Sequence, residues 1–192
     1  MSNMTKRALG FSLKKLLSQM PLDKITIQNI VDDAEVSRKT FYYHFQDIYD
    51  LLEWVLVDEG RRVLEGHTTA DAWQQGLWNV LSYLQENRAV IGNLHRSIQS
   101  SNTLLETHIT QMIRPILQQI FDAQPGHEKV EAEDRQFILE LYAFGLVKLV
   151  TYWIDNGMKP EAEQLMKRIH RIFRGSMESM IQRYCAEQED RG

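Results

Sequence analysis

Several kinds of chemistry are excluded by what this chain lacks. It has a single cysteine, Cys185, so no disulfide can close within it. That residue reads as a small side chain near a helix end. His95 and His108 stand without partners at metal-ligand spacing, so no metal site is expected. There is no glycine-rich phosphate loop and no nucleophile elbow. No catalytic residue, no cofactor and no enzymatic activity follow from it. No uninterrupted apolar run reaches 18 residues, which argues against a membrane span. The opening MSNMTKRALGFSLKKLL has neither the long apolar segment nor the cleavage site of a signal peptide. A soluble, cytoplasmic protein with no membrane partner is expected. Repeats, low-complexity tracts and strand-like alternation are also missing.

What is present reads as helix throughout. The 192 residues suit one compact unit or two small ones, and 43% hydrophobic content supplies a core. The first helix is expected over Thr5–Gln19, with Leu9, Leu13, Leu16 and Leu17 as its apolar stripe. Asp47 or Asp50 opens a fourth helix carrying Leu51, Leu52, Trp54, Val55 and Leu56, to about Gly66. Others are expected near 71–86, 88–99 and 103–121, the last with Pro115 inside it as a kink. Gln124-Pro125-Gly126-His127 is a loop. Two long helices close the chain, near 131–156 and 160–187. Gly157 suits a left-handed end to the first, and Pro160 suits the first position of the second. The first of this pair is apolar on nearly every side and is expected to be buried all round. Gly145, Gly157 and Gly175 could allow close helix approach.

Residues 26–45, TIQNIVDDAEVSRKTFYYHF, carry the most information. Thr26 suits an N-cap, followed by an apolar face of Ile27, Ile30, Val31 and Ala34. Glu35-Val36 interrupts the pattern, and Ser37 caps a second helix. There Phe41, Phe45 and His44 share one side. Arg38 and Tyr42, like Lys39 and Tyr43, are four apart and expected to stack along a neighbouring outer face. Two cations, two aromatic hydroxyls and Thr40 within about two turns fit a helix that enters the major groove. The stretch reads as a helix-turn-helix. Charge supports this mildly. The net charge is −4, but residues 1–46 carry seven Lys/Arg against four acids, +3, which leaves −7 for the rest.

The run V-S-x-x-T-F-Y-Y-H-F from Val36 to Phe45, with the surrounding residues 5–56, resembles the DNA-binding head of the TetR/AcrR family of regulators. The resemblance implies an all-α protein: a three-helix helix-turn-helix domain at 1–47 and a helical effector-binding and dimerisation domain at 48–192. It implies a sequence-specific transcriptional regulator, most often a repressor, that binds double-stranded DNA at a palindromic operator. The homodimer would form through the last two helices, about 131–187. Thr26 would contact a phosphate, and Ser37, Arg38, Lys39, Thr40, Tyr42, Tyr43 and His44 would face DNA, Arg38 and Lys39 reaching bases. Two positions depart from the pattern. Glu35 stands where the family usually has glycine, and Ile48 follows Asp47 where it often has a phosphate-binding lysine, so that contact is either missing or replaced by the helix N-terminus itself. A small-molecule effector pocket would draw on Trp73, Trp78, His95, Met112, Tyr142 and Trp153, among the aromatic and polar residues between 71 and 153. TFYYHFQDIYDLLEW and GLVKLVTYWIDNGMKPE further resemble a subgroup of activators of dihydroxyacetone kinase operons, which answer to a protein coactivator. A tightly filled core would favour that version. An interaction module with a degenerate head is a third reading.

Overall fold

A computed structural model of the chain describes residues 2–65, 73–97 and 103–189. Among the described residues all regular structure is helical. In chain order the helices are α1 (Ser2–Leu17), α2 (Ile27–Asp33), α3 (Arg38–His44), α4 (Ile48–Leu64), α5 (Trp73–Glu86), α6 (Arg88–Ser97), α7 (Thr103–Asp122), α8 (Ala132–Asp155), α9 (Ala162–Phe173) and α10 (Ser176–Glu189). They form two compact units, one from residues 1–62 and 86–108, the other from 63–85 and 109–192.

The first unit is built on α1. Leu9, Leu13 and Leu17 are buried against Ile30 and Val31 of α2, Phe41 and Phe45 around α3, and Leu51, Leu52 and Val55 of α4. Leu16 is only partly buried. α1 ends two residues before the expected Gln19, where the Ser18 hydroxyl donates to the Lys15 carbonyl at 2.6 Å and Pro21 follows. α6 belongs to this unit because it completes that end. The Asn93 amide donates to the Leu17 carbonyl at 2.7 Å, and the Leu22 N–H donates to the Ser97 hydroxyl at 2.8 Å. The short helices α2 and α3 end at His44, and the compact unit around them also takes in most of α4 and all of α6.

The second unit is centred on α8, where Ile138, Leu139, Tyr142, Leu146, Val147, Val150, Trp153 and Ile154 are buried. Within the single chain α8 is not buried all round. Phe137, Leu141, Phe144, Leu149 and Tyr152 are exposed. With a mean hydropathy of 1.6 over its most apolar 18 residues, α8 is also long and apolar enough to cross a membrane, which the interruptions at Glu140 and Lys148 conceal in a search for unbroken runs. Some 56% of that apolar window is buried within the fold, the pattern of a core helix. Its end matches expectation. Gly157 is left-handed, the Met158 N–H donates to the Trp153 carbonyl at 2.7 Å, and the Gly157 N–H to that of Ile154 at 3.0 Å.

The last helix expected from sequence is two. α9 begins at Ala162 with Glu161 as its N-cap, so Pro160 precedes the helix instead of opening it. Its carbonyl accepts from the Trp153 indole at 2.6 Å. α9 stops at Phe173 because Arg174 is extended and Gly175 is left-handed, and α10 starts afresh. Gly157 and Gly175 therefore sit just past the ends of their helices, each at positive φ.

Candidate nucleic-acid interface

α3 has seven residues, too short to hold its shape alone. Two features fix it. The Ser37 hydroxyl accepts from the Thr40 N–H at 3.0 Å, capping its start. Phe41 and Phe45 are buried in the core of the first unit, and a large buried side chain contributes roughly 2–3 kcal/mol. The remaining positions must then face outward. Arg38, Lys39, Tyr42 and Tyr43 are exposed, Tyr43 at 81%, while Thr40 and His44 are half-buried. The rings run along the helix: Tyr42 meets Phe41 edge-on at 5.6 Å, and Tyr43 meets His44 at 4.9 Å.

α2 is fixed by a reciprocal cap. The Asn29 N–H donates to the Thr26 hydroxyl at 3.2 Å, and the Thr26 N–H donates to the Asn29 side chain at 2.9 Å. Its far end carries a left-handed residue, Glu35, at φ +53°. The Val36 N–H reaches the Val31 carbonyl at 3.0 Å, closing the same motif that glycine closes elsewhere. This explains the departure at Glu35. The turn keeps its geometry, and a side chain is strained to do so.

Acidic groups near this face have distinct fates. Asp33 accepts from Lys15 and from the Ser12 hydroxyl, each at 2.5 Å, tying α2 to α1. The Lys15 hydrogen bond, with that of Ser12 next, holds the Asp33 carboxyl below its ordinary range. Asp32 accepts from Gln28 at 2.6 Å. At the start of α4 the Asp50 N–H donates to Asp47 at 2.9 Å, and the Gln46 N–H donates to Asp50 at 2.9 Å. Two carboxylates already occupy the helix N-terminus that was expected to stand in for the missing lysine. One cation was not singled out from sequence: Lys6 lies 5.3 Å over the Phe45 ring. A cation on the first turns of α1 and an aromatic at the end of α3 signal it only once α1 is known to pack there.

The residues suggested for an effector pocket are dispersed. Trp73 and Tyr142 line one cavity of about 180 Å3 in the second unit, with Leu77, Ile113, Leu117, Leu146 and Ile169. Trp73 stacks on His170 at 6.3 Å, and the Tyr142 hydroxyl lies 2.9 Å from that of Ser176. Trp153 is spent on the Pro160 carbonyl, Trp78 is half-buried and is not among the residues lining that cavity, and His95 lies in the first unit. The side chains of Met112 and His108 lie outside the described residues.

Comparison with known proteins agrees with this layout. Residues 13–55 match the family described as bacterial regulatory proteins, tetR family, and residues 71–175 match one described as transcriptional regulator C-terminal region. Over 87 residues, 45% of the chain, it is 28% identical to the HTH-type dhaKLM operon transcriptional activator DhaS of Lactococcus lactis subsp. lactis (strain IL1403). Over 167 residues, 82% of the chain, it is 20% identical to the uncharacterized HTH-type transcriptional regulator YxbF of Bacillus subtilis (strain 168). These matches span 46% and 42% of the two relatives, under half of each. Among solved structures, the dihydroxyacetone kinase operon activator DhaS superposes with a TM-score of 0.70 at 20% identity, covering 93% of this chain and 96% of that one. A TetR transcriptional regulator from Streptococcus agalactiae 2603V gives 0.62 at 19% identity, with 94% of each chain covered. Those two share the fold. With its helix-turn-helix and most of its remaining length matched, the chain belongs to the tetR family of bacterial regulatory proteins.

Proposed function

We propose that this protein is a sequence-specific DNA-binding transcriptional regulator, working in the cytoplasm as a homodimer on a palindromic operator. The observation that carries the reading is α3. Its Phe41 and Phe45 are buried, and this turns Arg38, Lys39, Tyr42 and Tyr43 outward together. Arg38 and Lys39 are assigned to base edges, and Tyr42, His44, Thr26 and Ser37 to the phosphate backbone, with Tyr43 and Thr40 completing the face. A homodimer accounts for the uncovered apolar face of α8, joined by Ile172 of α9. At Gly145, in the middle of that face, an added Cβ meets nothing within 4 Å in this chain, which leaves room for a partner backbone. Two-fold symmetry then sets two α3 helices in successive major grooves, about 34 Å apart.

Repression controlled by a small effector in the second unit is the first version. The effector would act by its differential affinity for the DNA-competent and incompetent states. A second version is activation controlled by a protein coactivator. It is favoured by the 180 Å3 cavity, smaller than the roughly 300 Å3 where ordinary ligand pockets begin, and by the likeness to a protein named as an operon activator. The test is capture and sequencing of genomic fragments by the purified protein and by an Arg38→Ala/Tyr42→Ala variant. A shared palindrome enriched by the wild type alone is expected. Equal enrichment by both would overturn the assignment of α3, and the position of the site relative to its promoter would decide the sign of regulation.

A further inference from the structure

The first unit holds an opening that α3 does not use. A groove of about 460 Å3 lies between α1 and α4, within the roughly 300–1,000 Å3 range of small-molecule sites. Gly10 is its floor. A Cβ there would come 2.9 Å from Val55 and 3.2 Å from Trp54, so the absence of a side chain lets α4 press against the α1 backbone. Phe11 and Trp54 line the groove, and Phe11 is 71% exposed, an unusual cost for a phenyl ring that nothing covers.

The charges along the groove are unevenly matched. Lys14 of α1 pairs with Glu59 of α4 at 2.9 Å, and Arg62 pairs with Asp58 and, at 3.7 Å, with Glu59. These four groups neutralise one another at one end. Gly10 faces Trp54–Val55 and Lys14 faces Glu59, so rising numbers on α1 meet rising numbers on α4. Arg7 therefore lies toward the other end. It is exposed, and among the described residues it has no ion pair. The first turn of α1 carries no acid to offset Arg7, and the neighbouring Lys6 adds a second positive charge.

We propose that this groove binds an amphipathic organic anion, a small molecule whose carboxylate meets Arg7 and whose apolar body lies over Gly10 between Phe11 and Trp54. A DNA phosphate could satisfy Arg7 but would leave the exposed Phe11 ring uncovered, whereas a medium-chain carboxylate uses both halves of the site. The occupant adds negative charge to the unit that carries α3. Lower operator affinity is the consequence, and that clause alone rests on the DNA-binding reading.

Decanoate titrated into the isotope-labelled full chain, without DNA and below its aggregation concentration, tests the site by amide and indole chemical shifts. Saturable shifts at Gly10 and at the Trp54 indole are expected. Decanol, of the same length and uncharged, should bind about tenfold more weakly, the usual worth of one charge-assisted hydrogen bond. Arg7→Gln should lose decanoate affinity by a similar factor, while Lys24→Gln, an exposed charge elsewhere in the unit, leaves it unchanged. Absence of saturable shifts, shifts confined to α5 and α7–α10, equal binding of decanol, or an indifferent Arg7→Gln each overturns the proposal. Because no DNA is present, these results leave the reading of α3 untouched.

Discussion

At Glu35 the turn between α2 and α3 is closed by a residue with φ +53°, a conformation that costs an L-residue about 1–2 kcal/mol. Glycine would avoid that strain and lose some of the gain to its freer unfolded chain. Glu35→Gly should therefore raise the unfolding free energy by up to about 1 kcal/mol in urea titration. Asp33 makes the complementary case. Lys15 and Ser12 hold its carboxyl below the ordinary value of 3.8, so the folded state binds that proton less readily than the unfolded one. A depressed carboxyl contributes stability that is present above the ordinary value and lost as pH falls through the folded one. Thermal melts should show the wild type more stable than Asp33→Asn at neutral pH, with the gap closing below about pH 4. The roles of Thr26 and Ser37 as caps were legible from residue type and spacing, since a hydroxyl before an apolar-periodic run has few other uses. The pairing of Asp33 with Lys15 was not, because it joins residues on two helices whose register only packing decides.

At the scale of the element, α3 and α8 show opposite relations between pattern and structure. In α3 the four-residue step from Phe41 to Phe45 set the inner side, and the outward set followed without knowledge of the fold. α8 is apolar on so many sides that periodicity cannot say which side the chain itself covers. The fold buries one side and leaves Phe137, Leu141, Phe144 and Tyr152 along another. Phe144→Asp should shift the protein toward monomer in sedimentation velocity, with little change in helical content by circular dichroism because its side chain touches solvent in the single chain. A variant that remained dimeric would show that the copies meet elsewhere. The break between α9 and α10 had a local signal, Gly175 followed by Ser176, which the apolar stripe running through Ile172, Phe173 and Met180 overrode. The effector residues were the least legible. An aromatic at helical spacing looks alike whether it lines a cavity, as Trp73 and Tyr142 do, or anchors a turn, as Trp153 does.

For the whole molecule, two chain properties serve one reading. Positive charge concentrates in residues 1–46, while the remaining residues are net acidic, so the proposed attraction to DNA is centred on the segment that carries α3. Against it stand Asp47 and Asp50, which occupy the N-terminus of α4 and face an approaching phosphate with like charge. The proposed binding should weaken as ionic strength rises, in proportion to the number of phosphates that the face neutralises. The most direct test is fluorescence anisotropy on the best enriched fragment as salt rises from roughly 50 to 200 mM. A steep linear fall of log affinity with log salt, flattened and weakened in Arg38→Ala/Tyr42→Ala, is the predicted result. A salt-independent signal, or none at any salt on any fragment, would contradict the claim that this face of the protein binds DNA.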